Sequence, residues 1–160
     1  MKRFAIAAAG LACLAFAQPV VAADNEMQPS FLFVQEASAG TYDGKTLTLA
    51  DPSPTITAFA DRPNRVVKDI RLSHFVDVWT QGADSFKDDP PNAALIAEGL
   101  ETIIVELHNP RSSDAGLRYD ISVLSGDLPS EMTGVTLVID DNESWCDFGI
   151  GCWSEMSIGL

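Results

Sequence analysis

Between Phe31 and Asp140 apolar and polar residues alternate in short runs broken by glycine, proline and an Asp-Gly pair, a period of two that predicts strands. The clearest run is Leu117–Leu124, where Leu117, Tyr119, Ile121 and Val123 share one face and Arg118, Asp120 and Ser122 share the other. Thr46–Leu49 repeats the pattern, with Leu47 and Leu49 opposite Thr46 and Thr48, and Asp43-Gly44 just before it is a hairpin signal. Further strands are predicted over Phe31–Ser38, entering a turn at Gly40, and over Thr55–Phe59, Val66–Ile70, Ala93–Ala97, Thr102–His108 and Val135–Asp140. The run "TIIVEL" alternates least and predicts a central, buried strand.

One stretch has a different period. From His74 to Thr80, Phe75 and Trp79 stand four apart with Val76 and Val78 beside them, which predicts a short helix capped by Ser73 and ended by Gly82. Strands with one apolar face each must cover one another, so the predicted class is all-β: a β-sandwich of about seven strands, the helix closing one end.

The first residues place the chain in a compartment. Met1-Lys2-Arg3 is followed by an uncharged apolar stretch from Phe4 to Ala17, the pattern of a secretory signal peptide, with small residues that suit cleavage after Ala22 or Ala23. The predicted division is therefore a leader at 1–23, a β-sandwich domain at 24–141 and a C-terminal tail at 142–160. Localisation follows as exported, periplasmic or extracellular. A transmembrane segment is not predicted, because Gln18-Pro19 interrupts the apolar run and nothing later reaches the ~18 apolar residues a span needs. Cys13 raises a lipid-anchored alternative, although Gly10-Leu11-Ala12 departs from the Leu-small-small pattern usual before such a cysteine.

Charge narrows the partners. Removing the leader takes two of ten basic residues and none of the 23 acidic ones, leaving a net charge of −15. Such a surface is repelled by phosphate backbones, and the chain has no lysine run to offset it, so nucleic acid is excluded as a partner. A protein or small-ligand partner remains, and the sequence leaves the oligomeric state open.

Cys146 and Cys152 in "WCDFGIGCW" are the cysteines left after the leader, and in an oxidising compartment they predict a local disulfide clipping the tail. Metal binding through them would need further ligands, and the histidines, His74 and His108, are remote in sequence.

The stretch "DSFKDDPPNAAL" at 84–95 combines three acids with two prolines. Asp89 and Pro90 each precede a proline and are held extended, so the segment predicts a stiff lead-in to the next strand, with Asn92 closing a turn and Phe86 folding back toward Trp79. Arg62 or Arg65 is expected to reach Asp84, Asp88 or Asp89.

The segments "FADRPNR" at 59–65, "FVDVW" at 75–79 and "DSFKDDPPNAAL", followed by "IIVEL" and "LRYDISVLSGDLP", together resemble a family of bacterial exported proteins of unknown function. Members typically read aromatic-Ser/Ala-Asp-Arg-Pro, then Trp, then Asp-Ser-Phe-x-x-Asp-Pro-Pro-Asn-Ala, and end in a stretch like "GVTLVIDD". The resemblance spans residues 30–141 and implies a structural signature of Asp61, Arg62, Pro63, Arg65, Phe75, Trp79, Ser85, Phe86, Asp89, Pro90, Pro91 and Asn92. It brings no established activity.

Catalytic chemistry has no visible constellation: neither histidine lies in a nucleophile-elbow context, and no phosphate-binding glycine motif is present. An EF-hand reading of Asp140, Asn142 and Ser144 fails at Trp145 and Gly151, where a glycine and a bidentate glutamate belong. A less regular calcium site from Asp140, Asp141, Glu143 and Asp147 is one metal candidate, and a cation or ligand site using Asp84, Asp88 and Asp89 is another. The sequence therefore predicts a non-catalytic exported interaction module without a cofactor, with a small-ligand or divalent-cation binder using acidic loops as the alternative.

Overall fold

The chain forms β1 (Phe31–Tyr42), β2 (Thr46–Pro52), β3 (Thr55–Ala60), β4 (Val67–Arg71), α1 (Leu72–Val78), β5 (Asn92–Ile96), β6 (Ile103–Ser113), β7 (Gly116–Ser125) and β8 (Glu131–Asp140). The computed structural model describes residues 31–60, 65–80 and 85–140. The expected leader, the cysteine tail and residues 61–64 and 81–84 lie outside them.

Every strand pairing is antiparallel, in the order β2-β7-β6-β5-β8-β1-β3-β4, and β2 pairs again with β1. That extra pairing joins β1, β2, β7, β6, β5 and β8 into a closed six-stranded ring. The all-β class stands, but the architecture is a barrel where a sandwich was expected. The cause is β1. Its first half pairs with β3 (Phe31↔Ala60 to Val34↔Thr57) and its second half with β2 (Ala37↔Pro52 to Tyr42↔Leu47). Between the two, "DPSP" carries extra residues past β1, with Asp51 at φ +43° and the Ser53 amide donating to the Glu36 carbonyl. The bulge turns β2 toward β7 and leaves β3 and β4 as a flap beyond the ring, so no open edge separates two sheets.

Alternation then fills the interior. Phe31, Phe33 and Ala37 of β1, Leu47 and Leu49 of β2, Val105 and Leu107 of β6, Leu117, Tyr119 and Ile121 of β7, and Val135, Leu137 and Ile139 of β8 are buried. The hairpin at Asp43-Gly44 forms as expected, with the Lys45 and Thr46 amides donating to Asp43 Oδ1 at 3.0 and 2.7 Å.

Several boundaries move for local reasons. No turn forms at Gly40: the strand runs to Tyr42, and the glycine is buried against Met132 and Val135. β6 passes through Asn109-Pro110 because a register shift with Asn109 at φ +47° removes the proline from the ladder. The helix starts at Leu72, before the expected Ser73 cap, and Arg71 caps it with extended backbone and no side-chain bond. β4 runs directly into α1, and the Leu72 amide finds the Pro54 carbonyl at 2.9 Å, which meets a need a side-chain cap would otherwise meet. α1 lies against β3, β4 and β6.

Candidate functional site

The signature residues separate into packed aromatics and an outer turn. Phe75, Trp79 and Phe86 are buried at 0, 1 and 5% exposure. Trp79 lies edge-on to Phe86 at 4.8 Å and to Phe75 at 5.6 Å, and Phe33 from β1 meets Phe75 at 5.0 Å. Ser85 is buried, its carbonyl accepts the Asp88 and Asp89 amides at 2.9 and 3.0 Å, and its hydroxyl donates to Asp88 Oδ2 at 3.1 Å. The Pro91 carbonyl accepts the Leu107 amide at 3.0 Å, and Asn92 opens β5 opposite Glu106, not a turn. Arg65 is exposed at φ +48°, before the strand and not in it. Among the described residues no ion pair joins Arg65 to Asp88 or Asp89. Asp61, Arg62, Pro63 and Asp84 lie outside those residues.

Of the calcium candidates, Asp140 is exposed at the end of β8, while Asp141, Glu143 and Asp147, like Cys146 and Cys152, lie outside the described residues. Among the described residues no group of three or more His, Cys, Asp or Glu side chains could hold a metal ion.

The structure instead brings together groups that no local motif announces. Two hollows follow one another along the outside of β1 and β8. The first, 360 Å³, is lined by Glu36, Ala37, Ser38, Asp51, Ser53 and residues 134–136. The second, 420 Å³, is lined by residues 39–41, Glu98, Leu100 and residues 131–133. Among the described residues four carboxylates, Glu36, Asp51, Glu98 and Glu131, border them, and no lysine, arginine or histidine does. Ser38 donates to Asp51 Oδ2 at 3.2 Å and Thr133 to Glu98 Oε2 at 3.0 Å. Gly134, at φ +58°, lets Glu98 cross β8: a Cβ there would meet Glu98 Cγ at 2.8 Å. Exposed Leu100 adds an apolar edge.

A second polar network lies elsewhere on the barrel wall. Arg111 grips Asp120 through two bonds of 2.9 and 2.8 Å, Asn109 adds a third at 3.2 Å, and this holds the Asp120 carboxyl well below the ordinary carboxylate range. His108 Nε2 lies 2.8 Å from Glu106 Oε1 on the same strand. Arg111 and Asp120 satisfy one another, so the network reads as a surface clasp over the β6 bulge.

Comparison with protein-family models, with curated proteins and with solved structures found no match. Sequence reasoning missed the groove because its acids come from four separate stretches of chain, brought together by β1–β8 pairing and the bulge after β2. It also missed Gln35, which was legible: it falls on the inward parity of Phe31, Phe33 and Ala37, and is fully buried.

Proposed function

We propose that the protein is an exported, non-catalytic binding module that holds a basic peptide segment of a partner protein along the groove outside β1 and β8. The carrying observation is that groove: two successive hollows bordered, among the described residues, by four carboxylates and no basic side chain. An extended strip of separated carboxylates suits a chain of spaced cations better than one metal ion, which needs its ligands converging. The apolar edge at Leu100 offers a contact for the stems of lysine or arginine. Export rests on the basic-then-apolar leader, and the resemblance to an exported family supports it. In this proposal the Trp and Asp-Pro-Pro-Asn segments are architectural, joining α1 to β5.

The test is fluorescence polarisation with a labelled oligolysine peptide at several salt concentrations. Glu98→Gln with Glu131→Gln should weaken binding by about tenfold, whereas Asp114→Asn with Asp127→Asn, equal in charge change but outside the groove, should weaken it only slightly. Equal losses from both pairs would reduce the effect to net charge and end the proposal. A thermal shift with millimolar Ca²⁺ at matched ionic strength, without peptide binding, would favour the divalent-cation alternative.

A further inference from the structure

In the core three buried side chains carry polar atoms that have no hydrogen-bond partner among the described residues: both amide atoms of Gln35, the Trp79 Nε1–H and the Tyr119 hydroxyl. Their residues are 0, 1 and 0% exposed. A run of aromatic contacts links them through the core. Gln35 follows Phe33 on the inward face of β1; Phe33 lies 5.9 Å from Phe86, Phe86 lies 4.8 Å from Trp79, and Trp79 lies 5.8 Å from Tyr119. In a closed ring the backbone cannot supply the missing partners, because its amides and carbonyls are engaged with neighbouring strands. Burial drives the Tyr119 hydroxyl far above its ordinary range, so it stays protonated and available as both donor and acceptor.

We propose that Gln35, Trp79 and Tyr119 line an internal hydration site holding one or more long-lived water molecules. Together they offer four N–H or O–H donors and two acceptor oxygens, counted from one amide, one indole and one phenol. Water serves such a set because it both donates and accepts, and it fits among aromatic rings in contact with one another. Gln35 stands where β1 changes partners on one side. There β1 exchanges β3 for β2, the last pair on one side being Val34↔Thr57 and the first on the other Ala37↔Pro52. The 360 Å³ hollow sits over this exchange and reaches Ala37 and Val135, both buried. The first hollow of the outer groove adjoins Gln35 through Glu36, but the two sites use different side chains, so neither test touches the residues of the other.

The experiment compares Gln35→Met, Tyr119→Phe and the double variant, all close in volume to the parent, by thermal unfolding and by water ¹⁷O relaxation dispersion on the folded protein. With water bridging the groups, each single variant strands its partners: melting should fall by about 4–8 °C in each, the double variant should fall less than the sum, and a long-lived water signal in the parent should be lost or reduced. If the groups have no occupant, removing them relieves desolvation, melting is unchanged or rises, and no long-lived water is seen. That result overturns the proposal. So does a small organic molecule released on denaturation and detected by mass spectrometry, since it would take the place assigned to water.

Discussion

Trp79 and Phe86 meet edge-on with ring centroids 4.8 Å apart and 60° between their planes, one at the end of α1 and the other in the turn that leads to β5. This contact ties the helix to the acid- and proline-rich stretch across residues 81–84, and both rings are buried. Phe75 and Phe33 complete the packing, so the helix end, the turn and the start of β1 share one aromatic cluster.

Removing either ring should therefore leave a cavity among groups that cannot collapse. Trp79→Ala and Phe86→Ala are each expected to cost ~3–5 kcal/mol in urea unfolding. Their double-mutant cycle should show coupling of about 0.5–1.5 kcal/mol for the edge contact. Val67→Ala, at an exposed site on the flap, should stay within about 0.5 kcal/mol of the parent. Additive losses at Trp79 and Phe86 would show that the rings act separately.

Asp120 predicts a pH dependence with a definite sign. Its carboxyl is held down first by the Arg111 fork and then by Asn109, so the folded state keeps it ionised to lower pH than the unfolded chain does. The stabilisation is present above the ordinary carboxylate range and is lost as pH falls through and below that range. Because Arg111 is about half exposed, the effect should be within about 1 kcal/mol. Comparing Asp120→Asn with the parent from pH 7 to pH 2 should show a gap at neutral pH that closes in acid. A gap that widens in acid would contradict the assignment.

Two glycines should respond in opposite measure to alanine. Gly116, at φ +120° in the β6–β7 turn, has the Leu49 carbonyl oxygen where a Cβ would stand, so Gly116→Ala must displace β2 from β7. Gly44, at φ +96°, faces open space, so Gly44→Ala should cost only the backbone strain, about 1–3 kcal/mol. Circular dichroism and melting should show Gly116→Ala the more damaged; the reverse order would mean that β2 is not seated against that turn.

The tail cysteines offer a chemical test. The proposed export predicts that the intact mass of the mature protein lacks the leader, and with it Cys13, and the expected Cys146–Cys152 disulfide predicts that this mass rises on reduction by the hydrogens of a single opened bond. Retention of Cys13 with added lipid mass would replace soluble export by membrane anchoring.

Much of the secondary structure was legible because a strand with one buried face shows its period locally. Leu117, Tyr119 and Ile121 are buried as their spacing required, and so are Leu47 and Leu49. Phe75 and Trp79 likewise announced a helix face by standing four apart. Where the reading slipped, the compensating group was distant: Gly40 continues a strand because Met132 and Val135 pack against it, and Leu72 starts a helix because Pro54 accepts its amide.

The residue pattern alone established an all-β chain with one short helix, since alternation and helical spacing act within a few residues. Closure into a barrel required contacts the pattern does not encode. Alternation says which face is buried but not which strand lies alongside, so a sandwich and a barrel present the same inward rows. Pairing of β1 with β2, β3 and β8 together, and the bulge that hands it from one partner to the next, selected the barrel. The same pairings gathered Glu36, Asp51, Glu98 and Glu131 along the outside of β1 and β8 and turned Gln35 and Tyr119 into the core, because these residues come from separate stretches of chain that only the closed ring sets in place.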